Sequence, residues 1–376
     1  MWIDSLRALI CTAIVLPLLS AEVPGAQLET VRVSANGKNF IFAESGQPFR
    51  VLGVNYDHDS HGEHGRLLED YWEAEWDTVR SDFREIKDLG ANVVRIHLQL
   101  AKFMVAADTP NREALAKLTD LLHLAEDLGL YLDITGLGCY HKRDTPAWYD
   151  ALGETERWKV QAAFWSAIAR TCRKSPAVFC YDLMNEPVID GKTDQGWVTG
   201  ELGGKFFVQR LTLEKGSRTP TEIAKAWVGK LTAAIRAEDP EHMITVGVIP
   251  WAMVWPNAKP VFYSSEASGP LDFVSIHVYP NKGEVEKALA ALAVYDIGKP
   301  LLIEETFPLS CTLEEMDEFL KKSRLRAEGY ISFYWGKTID EYSKTAKTDI
   351  AAALVLDWLK YFQRHAEEMK RHPPHP

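Results

Sequence analysis

Short apolar runs recur along the chain at Val51–Tyr56, Asn92–His97, Tyr131–Thr135, Val178–Leu183, Met243–Val248, Phe273–Val278, Leu301–Glu304 and Tyr330–Tyr334. Each has the length and apolar character of a buried strand. Between them the period changes. Trp72, Trp76, Val79, Phe83, Ile86 and Leu89 recur at spacings of three and four, on one face of a helix. Leu115, Leu118, Leu122 and Ala125 repeat that spacing, and Leu121 and Leu128 widen the stripe. Thr219-Pro220-Thr221-Glu222 reads as a capping box with proline at the first helical position, and Thr312 with Glu315 repeats the box. A last helix runs through Leu354, Leu356, Trp358 and Leu359.

Eight strand–helix units in strict alternation predict an α/β protein whose parallel sheet closes into a TIM (β/α)8 barrel. An open, doubly wound sheet is the structural alternative. Such a sheet usually carries a glycine-rich loop after its first strand, where this chain has Asn55-Tyr56-Asp57-His58. Ahead of the barrel, Val31–Ala35 and Lys38–Phe42 flank Asn36-Gly37, which predicts an N-terminal β-hairpin with a two-residue turn. No repeat or linker divides residues 27–366, which read as a single domain, and residues 367–376 read as a frayed tail.

Composition narrows the partners. The net charge of −11 disfavours nucleic acid, which needs a basic face. At the N-terminus, Arg7 precedes an apolar run from Ala8 to Leu19, followed by Ser20, Ala21, Gly25 and Ala26. Residues 1–26 therefore read as a signal peptide, too short to span a bilayer comfortably. A secreted or periplasmic location is expected, with no stable membrane association after cleavage. Cys139, Cys172, Cys180 and Cys311 would remain, with no CxxC pair to suggest zinc or redox chemistry. Export would permit a disulfide, but buried thiols are the simpler expectation.

In a closed barrel, catalytic groups lie at the C-terminal ends of the strands. That rule selects Arg95-Ile96-His97, Asp182 to Pro187, His277-Val278-Tyr279-Pro280, Glu304-Glu305 and Trp335-Gly336. Two carboxyls across one pocket are what glycosidic cleavage requires: one protonated to serve the leaving oxygen, the other ionised to attack the anomeric carbon. Glu186 is the candidate acid, with a pKa expected to be raised by partial desolvation and neighbouring negative charge. Glu305 is the candidate nucleophile, with Arg95 and Tyr279 as donors that hold it ionised. Asn185 is placed to bind the sugar 2-hydroxyl.

The same stretches resemble glycoside hydrolase family 5: Asn92-Val-Val-Arg-Ile-His97, Asp182-Leu-Met-Asn-Glu-Pro187, His277-Val-Tyr279, Lys299-Pro-Leu-Leu-Ile-Glu-Glu305 and Phe333-Tyr-Trp-Gly336. The resemblance spans about Gly53 to Trp335. It implies a retaining double displacement on β-glucan- or β-mannan-type chains, Trp335 as a sugar platform, and His277 and Tyr279 as active-site partners. It implies no cofactor and no metal. The choice of Glu305 over Glu304 rests on this resemblance, and strand alternation lets only one of the two face the mouth. Family members usually place an aromatic and a glycine after the nucleophile, where this chain has Thr306-Phe307. Many carry a histidine at the end of strand 3, where Thr135 stands here, as in many mannan-active relatives.

Several loops add candidates. His58, His61 and His64 read as sugar contacts or as a solvated polar loop and, less simply, as a metal site. The long segment from Val188 to Arg218 carries Trp197, Phe206 and Phe207, while Trp148, Trp251 and Trp255 follow other strands. Each aromatic can stack on a sugar or pack the loop. Two rival readings remain: a non-catalytic carbohydrate-binding barrel, which would have lost one carboxylate, and a metal-dependent amidohydrolase-like barrel. The latter needs a His-x-His on strand 1 that His58-x-x-His61 does not supply.

Overall fold

The computed structural model describes residues 28–58 and 65–371. The leader expected over residues 1–26, and His61 and His64, lie outside the described residues. Eight parallel strands form the barrel: β1 Val51–Tyr56, β2 Val93–Gln99, β3 Tyr131–Gly138, β4 Val178–Asp182, β5 Met243–Thr245 with Gly247–Val248, β6 Val274–His277, β7 Leu301–Thr306 and β8 Gly329–Trp335. β5 is divided at Val246. Its first half pairs with β4 and its second half with β6, so this strand joins the two ends of the sheet. An open sheet is excluded by that pairing.

The helical stripes fold as their spacing requires. Val79, Phe83 and Ile86 are buried on the helix Trp76–Asp88, and Leu118, Leu121, Leu122 and Ala125 on Arg112–Leu128. Both expected capping boxes form, at Thr219 with Glu222 and at Thr312 with Glu315. A third, Thr338 with Glu341, opens a short helix that periodicity did not reveal. The alternation fails once. Between Val248 and Val274 there is a single turn of 3-10 helix, Trp251–Met253, and no α-helix. Pro250, Pro256, Pro260 and Pro270 punctuate this stretch and remove the donors a helix needs.

At the chain ends the expected hairpin is present, and the bounds of two elements differ from expectation. The hairpin strands shorten to Val31–Val33 and Phe40–Phe42, and a third strand, Pro48–Phe49, joins them. Their connection is a longer loop: Asn36 Oδ1 accepts from Ser34 Oγ and from the Lys38 amide, and the Ser34 amide donates to Asn39 O. Phe40 meets Phe179 and Phe273 edge-on, so this small sheet plugs the N-terminal end of the barrel. The last helix, Ile350–Met369, runs past Glu367 because Met369 is buried against the core. All four cysteines among the described residues are free thiols. Among those residues no helix is long and apolar enough to cross a membrane.

Candidate active site

The open end of the barrel gathers its chemistry through irregularities in the strands. Along β7, Ile303 pairs with Ile276 and Glu305 with His277, so one strand advances two residues while the other advances one. Against β8, Ile303 pairs with Tyr330 and Thr306 with Ser332, again leaving one residue extra on β7. A bulge of this kind re-aims side chains. Adjacent glutamates that alternation would send to opposite faces therefore both reach Arg95 and His277. Their depths differ. Glu304 has no accessible surface, and Glu305 opens to the mouth.

Arg95, wholly buried on β2, organises the floor. Nη1 donates to Glu305 Oε1 at 2.5 Å and to Asn55 Oδ1 at 3.0 Å. Nη2 donates to Asp182 Oδ2 at 2.8 Å and to Asn185 Oδ1 at 2.9 Å. Tyr279 Oη donates to Glu305 Oε2 at 2.7 Å. Glu305 is thus held by a guanidinium on one oxygen and a phenol on the other. Burial, reinforced by the charge of Glu305, pushes the Tyr279 phenol well above its ordinary range, so it stays a donor.

Glu186 follows β4 in a left-handed backbone conformation, φ +46°, uncommon for a residue with a side chain. Its amide donates to Gly247 O at 2.9 Å, which fixes the turn. Glu186 Oε1 lies 2.8 Å from His277 Nδ1, and His277 Nε2 lies 3.2 Å from Glu304 Oε2. One oxygen of Glu186, one of Glu305 and a nitrogen of His277 all lie within 4.8 Å of one another. Burial alone would lower the His277 pKa. The charge of Glu305 and the hydrogen bonds to Glu186 and Glu304 outweigh it and raise the pKa to about 10. The imidazolium therefore donates from both nitrogens. Beneath it, the charges of Arg95 and His277 overcome burial and hold Glu304 below the usual carboxylate range.

Other polar groups complete the floor. Asn55 Oδ1 also meets His97 Nε2 at 2.9 Å, and His97 Nδ1 meets Tyr140 Oη at 2.5 Å. Burial and the charge of Arg95 hold His97 well below its ordinary pKa, so the ring is neutral, with Nε2–H donating and Nδ1 accepting. Thr135, in the place of the absent histidine, donates to Asp182 Oδ2 at 2.8 Å. Gly247 explains itself by what it lacks. A Cβ there would stand 2.2 Å from Glu304 Oε2 and 2.6 Å from His277 Nε2.

The structure thus brings Arg95, Asn185, Glu186, His277, Tyr279 and Glu305 together. Asn185 donates one amide N–H to Phe207 O at 2.8 Å, which ties it to the segment after β4. Trp335 departs from expectation. It has no accessible surface and packs against Tyr56 and His58 in the layer between sheet and helices. Between Ser332 and Trp335, β8 advances three residues while β1 advances two, and this irregularity turns the indole away from the mouth. Phe333 lines the mouth instead, with its ring 6.3 Å from Tyr279 and 6.2 Å from Phe207. His58 is also spoken for: its Nδ1 lies 2.8 Å from Asp82 Oδ2.

The segment after β4 is a built wall. Val198–Leu202 and Lys205–Arg210 form an antiparallel hairpin, whose second strand also pairs with Pro187–Val188. Trp197 is buried beneath the Arg157 guanidinium, so it packs the loop. Two cavities adjoin the site, one through Asn55 and His97 and the other through Pro187 and Val248. One, of 240 Å³, is lined by Asn55, His97, Tyr140, Lys205, Phe207 and Phe333 among others. The other, of 490 Å³, begins at Pro187 and Val188 and reaches Trp251 and Trp255. Those two indoles are solvent-exposed, with ring centres 5.4 Å apart.

A parallel eight-stranded barrel with two glutamates opposed across its C-terminal mouth is the framework of a glycosidase. The sequence model for Cellulase (glycosyl hydrolase family 5) matches residues 42–300, and the chain belongs to that family. No curated protein matches the chain in sequence. Among solved structures, an exo-β-1,4-mannosidase from Opitutaceae bacterium strain TAV5 is similar at 17% identity and a TM-score of 0.64. The match covers 90% of this chain but only 62% of that one. A β-1,4-mannanase from the sea hare Aplysia kurodai matches at 15% identity and a TM-score of 0.60, over 91% and 99% of the two chains. The blue mussel Mytilus edulis β-mannanase matches at 15% identity and 0.58, over 90% and 97%. At these identities the likeness speaks to the fold.

Proposed function

We propose that this glycosidase hydrolyses β-linked chains of mannan or glucan type with retention of configuration, with β-1,4-mannosides as the preferred class. The observation that carries the mechanism is the approach of a Glu186 oxygen to a Glu305 oxygen within 4.8 Å. A retaining pair needs about 5–5.5 Å, whereas an inverting pair needs roughly 6.5–9.5 Å to admit a water between carboxyl and sugar. Thr135 in place of a strand-3 histidine, and the mannan-directed names of the similar structures, favour the mannoside class.

In the first step Glu305 attacks the anomeric carbon and the C1–O bond to the leaving sugar breaks. The leaving oxygen takes a proton from the Glu186–His277 pair, whose atoms lie 2.8 Å apart. In the second step Glu186 accepts a proton from water, the hydroxyl attacks C1, and Glu305 departs as a carboxylate. Tyr279 and Arg95 receive that returning charge. The non-catalytic reading fits less well, since both carboxyls are in place with their donors.

The test is a panel of 4-nitrophenyl β-mannoside and β-glucoside, β-mannan, β-glucan and xylan. Wild type is expected to cleave the mannosides fastest. Glu186→Ala is expected to lose about 10²–10⁴-fold on poor leaving groups and far less on 2,4-dinitrophenyl glycosides, which need no proton. An inactive wild type across the panel would overturn the proposal. Export of the mature chain belongs to the same reading. N-terminal sequencing of the secreted or periplasmic protein checks it, with a start near residue 22 or 27 expected.

A further inference from the structure

The two sides of the glutamate pair are built differently, and the difference bears on where a chain is cut. Glu186 serves the leaving oxygen, so the departing sugar lies on its side, over the 490 Å³ cavity that begins at Pro187. The sugar that bonds to Glu305 lies over Asn55, His97 and Tyr140, in the 240 Å³ cavity. Leu202, Gly203, Lys205 and Phe207 of the hairpin form one wall of that cavity.

The hairpin is anchored on three sides. The Phe206 amide donates to Tyr140 O at 2.8 Å, and Gln209 Nε2 donates to Leu137 O at 2.8 Å, both beyond or at the end of β3. Phe207 O accepts from Asn185 Nδ2 at 2.8 Å after β4. Lys205 Nζ reaches Arg66 O at 3.4 Å after β1. Its base is stitched to Pro187–Val188 by strand pairing. A segment tied to the ends of β3 and β4 and to the backbone at Arg66 is a fixed wall.

We propose that the hairpin Val198–Arg210 closes the site behind a single sugar residue, so that the enzyme removes one residue at a time from the non-reducing end of the chain. This rests on the retaining-glycosidase reading above. The volume agrees, since 240 Å³ lies below the roughly 300–1,000 Å³ of pockets that hold larger ligands. A polymer threading through the site would need an exit where the tip of the hairpin stands. The open side, with Trp251 and Trp255, can take a chain of any length.

The experiment follows early products from β-1,4-mannohexaose whose reducing end has been reduced to the alditol. Mannose alone, with the shortened alditol, is the expected result. Di- and trisaccharides as first products overturn the inference while leaving the glycosidase reading intact. If neither this substrate nor the aryl glycosides are cleaved, the glycosidase reading fails and the inference with it. Two variants sharpen the result. Replacing residues 200–205 by Asn-Gly should open the wall and bring release of dye from cross-linked mannan, an internal cleavage. Because that variant tests the fold as well, Leu202→Trp provides a milder one: added bulk at the rim should raise KM for 4-nitrophenyl β-mannoside about tenfold at nearly constant kcat. An unchanged KM would show that the hairpin does not bound the sugar, and would overturn the inference.

Discussion

The two flanks of the Glu186–Glu305 pair are lined by different chemistry. On the side of β1 to β3, buried polar groups satisfy one another: Arg95 with Asn55, Asn55 with His97, His97 with Tyr140. Moving any of them leaves a buried partner unsatisfied, at a cost of about 1–3 kcal/mol. Such a surface can discriminate hydroxyl positions. On the side of β4 and β5 the lining is mostly apolar, and two indoles stand in solvent. Such a surface gains affinity from area and tolerates variation. Under the proposed function, the contrast implies that selectivity for the retained sugar and affinity for the departing chain can be changed separately.

The largest expected effect breaks the polar side at its centre. Glu305→Gln should lower kcat/KM by at least about 10⁴-fold, because the nucleophile is lost outright. Glu304→Gln keeps the shape beneath it and should cost far less. The reverse order in steady-state kinetics would make Glu304 the nucleophile. Next comes Gly247→Ala, which drives a methyl group against Glu304 and His277. Overpacking of this kind should destabilise by about 1–3 kcal/mol, read by denaturant titration, with a parallel loss of activity. An indifferent variant would mean that the cluster is looser than its distances indicate.

On the apolar side, Trp251→Ala combined with Trp255→Ala should raise KM for mannohexaose by roughly tenfold, the scale of one or two aromatic stacking contacts. KM for 4-nitrophenyl β-mannoside should hold. Equal losses on both substrates would erase the division between the flanks.

The smallest effect is a slope. His277 binds its proton more tightly folded, at a pKa of about 10, than unfolded, at about 6.5. Its contribution to stability is therefore complete below pH 6.5 and lost as pH rises toward 10. Tm of the wild type should fall across that window more steeply than Tm of His277→Asn. Parallel curves would remove His277 as the charged link between Glu186 and Glu304.

Much of this site is legible in the sequence. The strand ends alone selected Arg95, Glu186, His277, Tyr279 and Glu305, because side chains at the C-terminal ends of barrel strands must converge. Asn55 and Asp182 also stood at strand ends, but their roles as partners of Arg95 were not readable, since a hydrogen-bonded partner has no period. Tyr140 lies beyond the expected end of β3, which continues to Gly138. Gly247 gave no signal at all, because a missing side chain matters only through what fills its space.

What the sequence determined by itself is the periodicity: eight apolar strands, amphipathic helices with their caps, and carboxyls at the ends of β4 and β7. These follow from local geometry and from burial, which act on a residue wherever its neighbours finally lie. Only the tertiary structure decided the rest. The bulge on β7 turned two adjacent glutamates toward the same centre, an irregularity on β8 withdrew Trp335 and presented Phe333, and the hairpin Val198–Arg210 docked on the ends of β3 and β4. In each case the outcome depends on one strand advancing against its neighbour by an extra residue, or on which surface a loop meets. Register and docking of that kind are set by contacts between distant parts of the chain, and no local pattern encodes them.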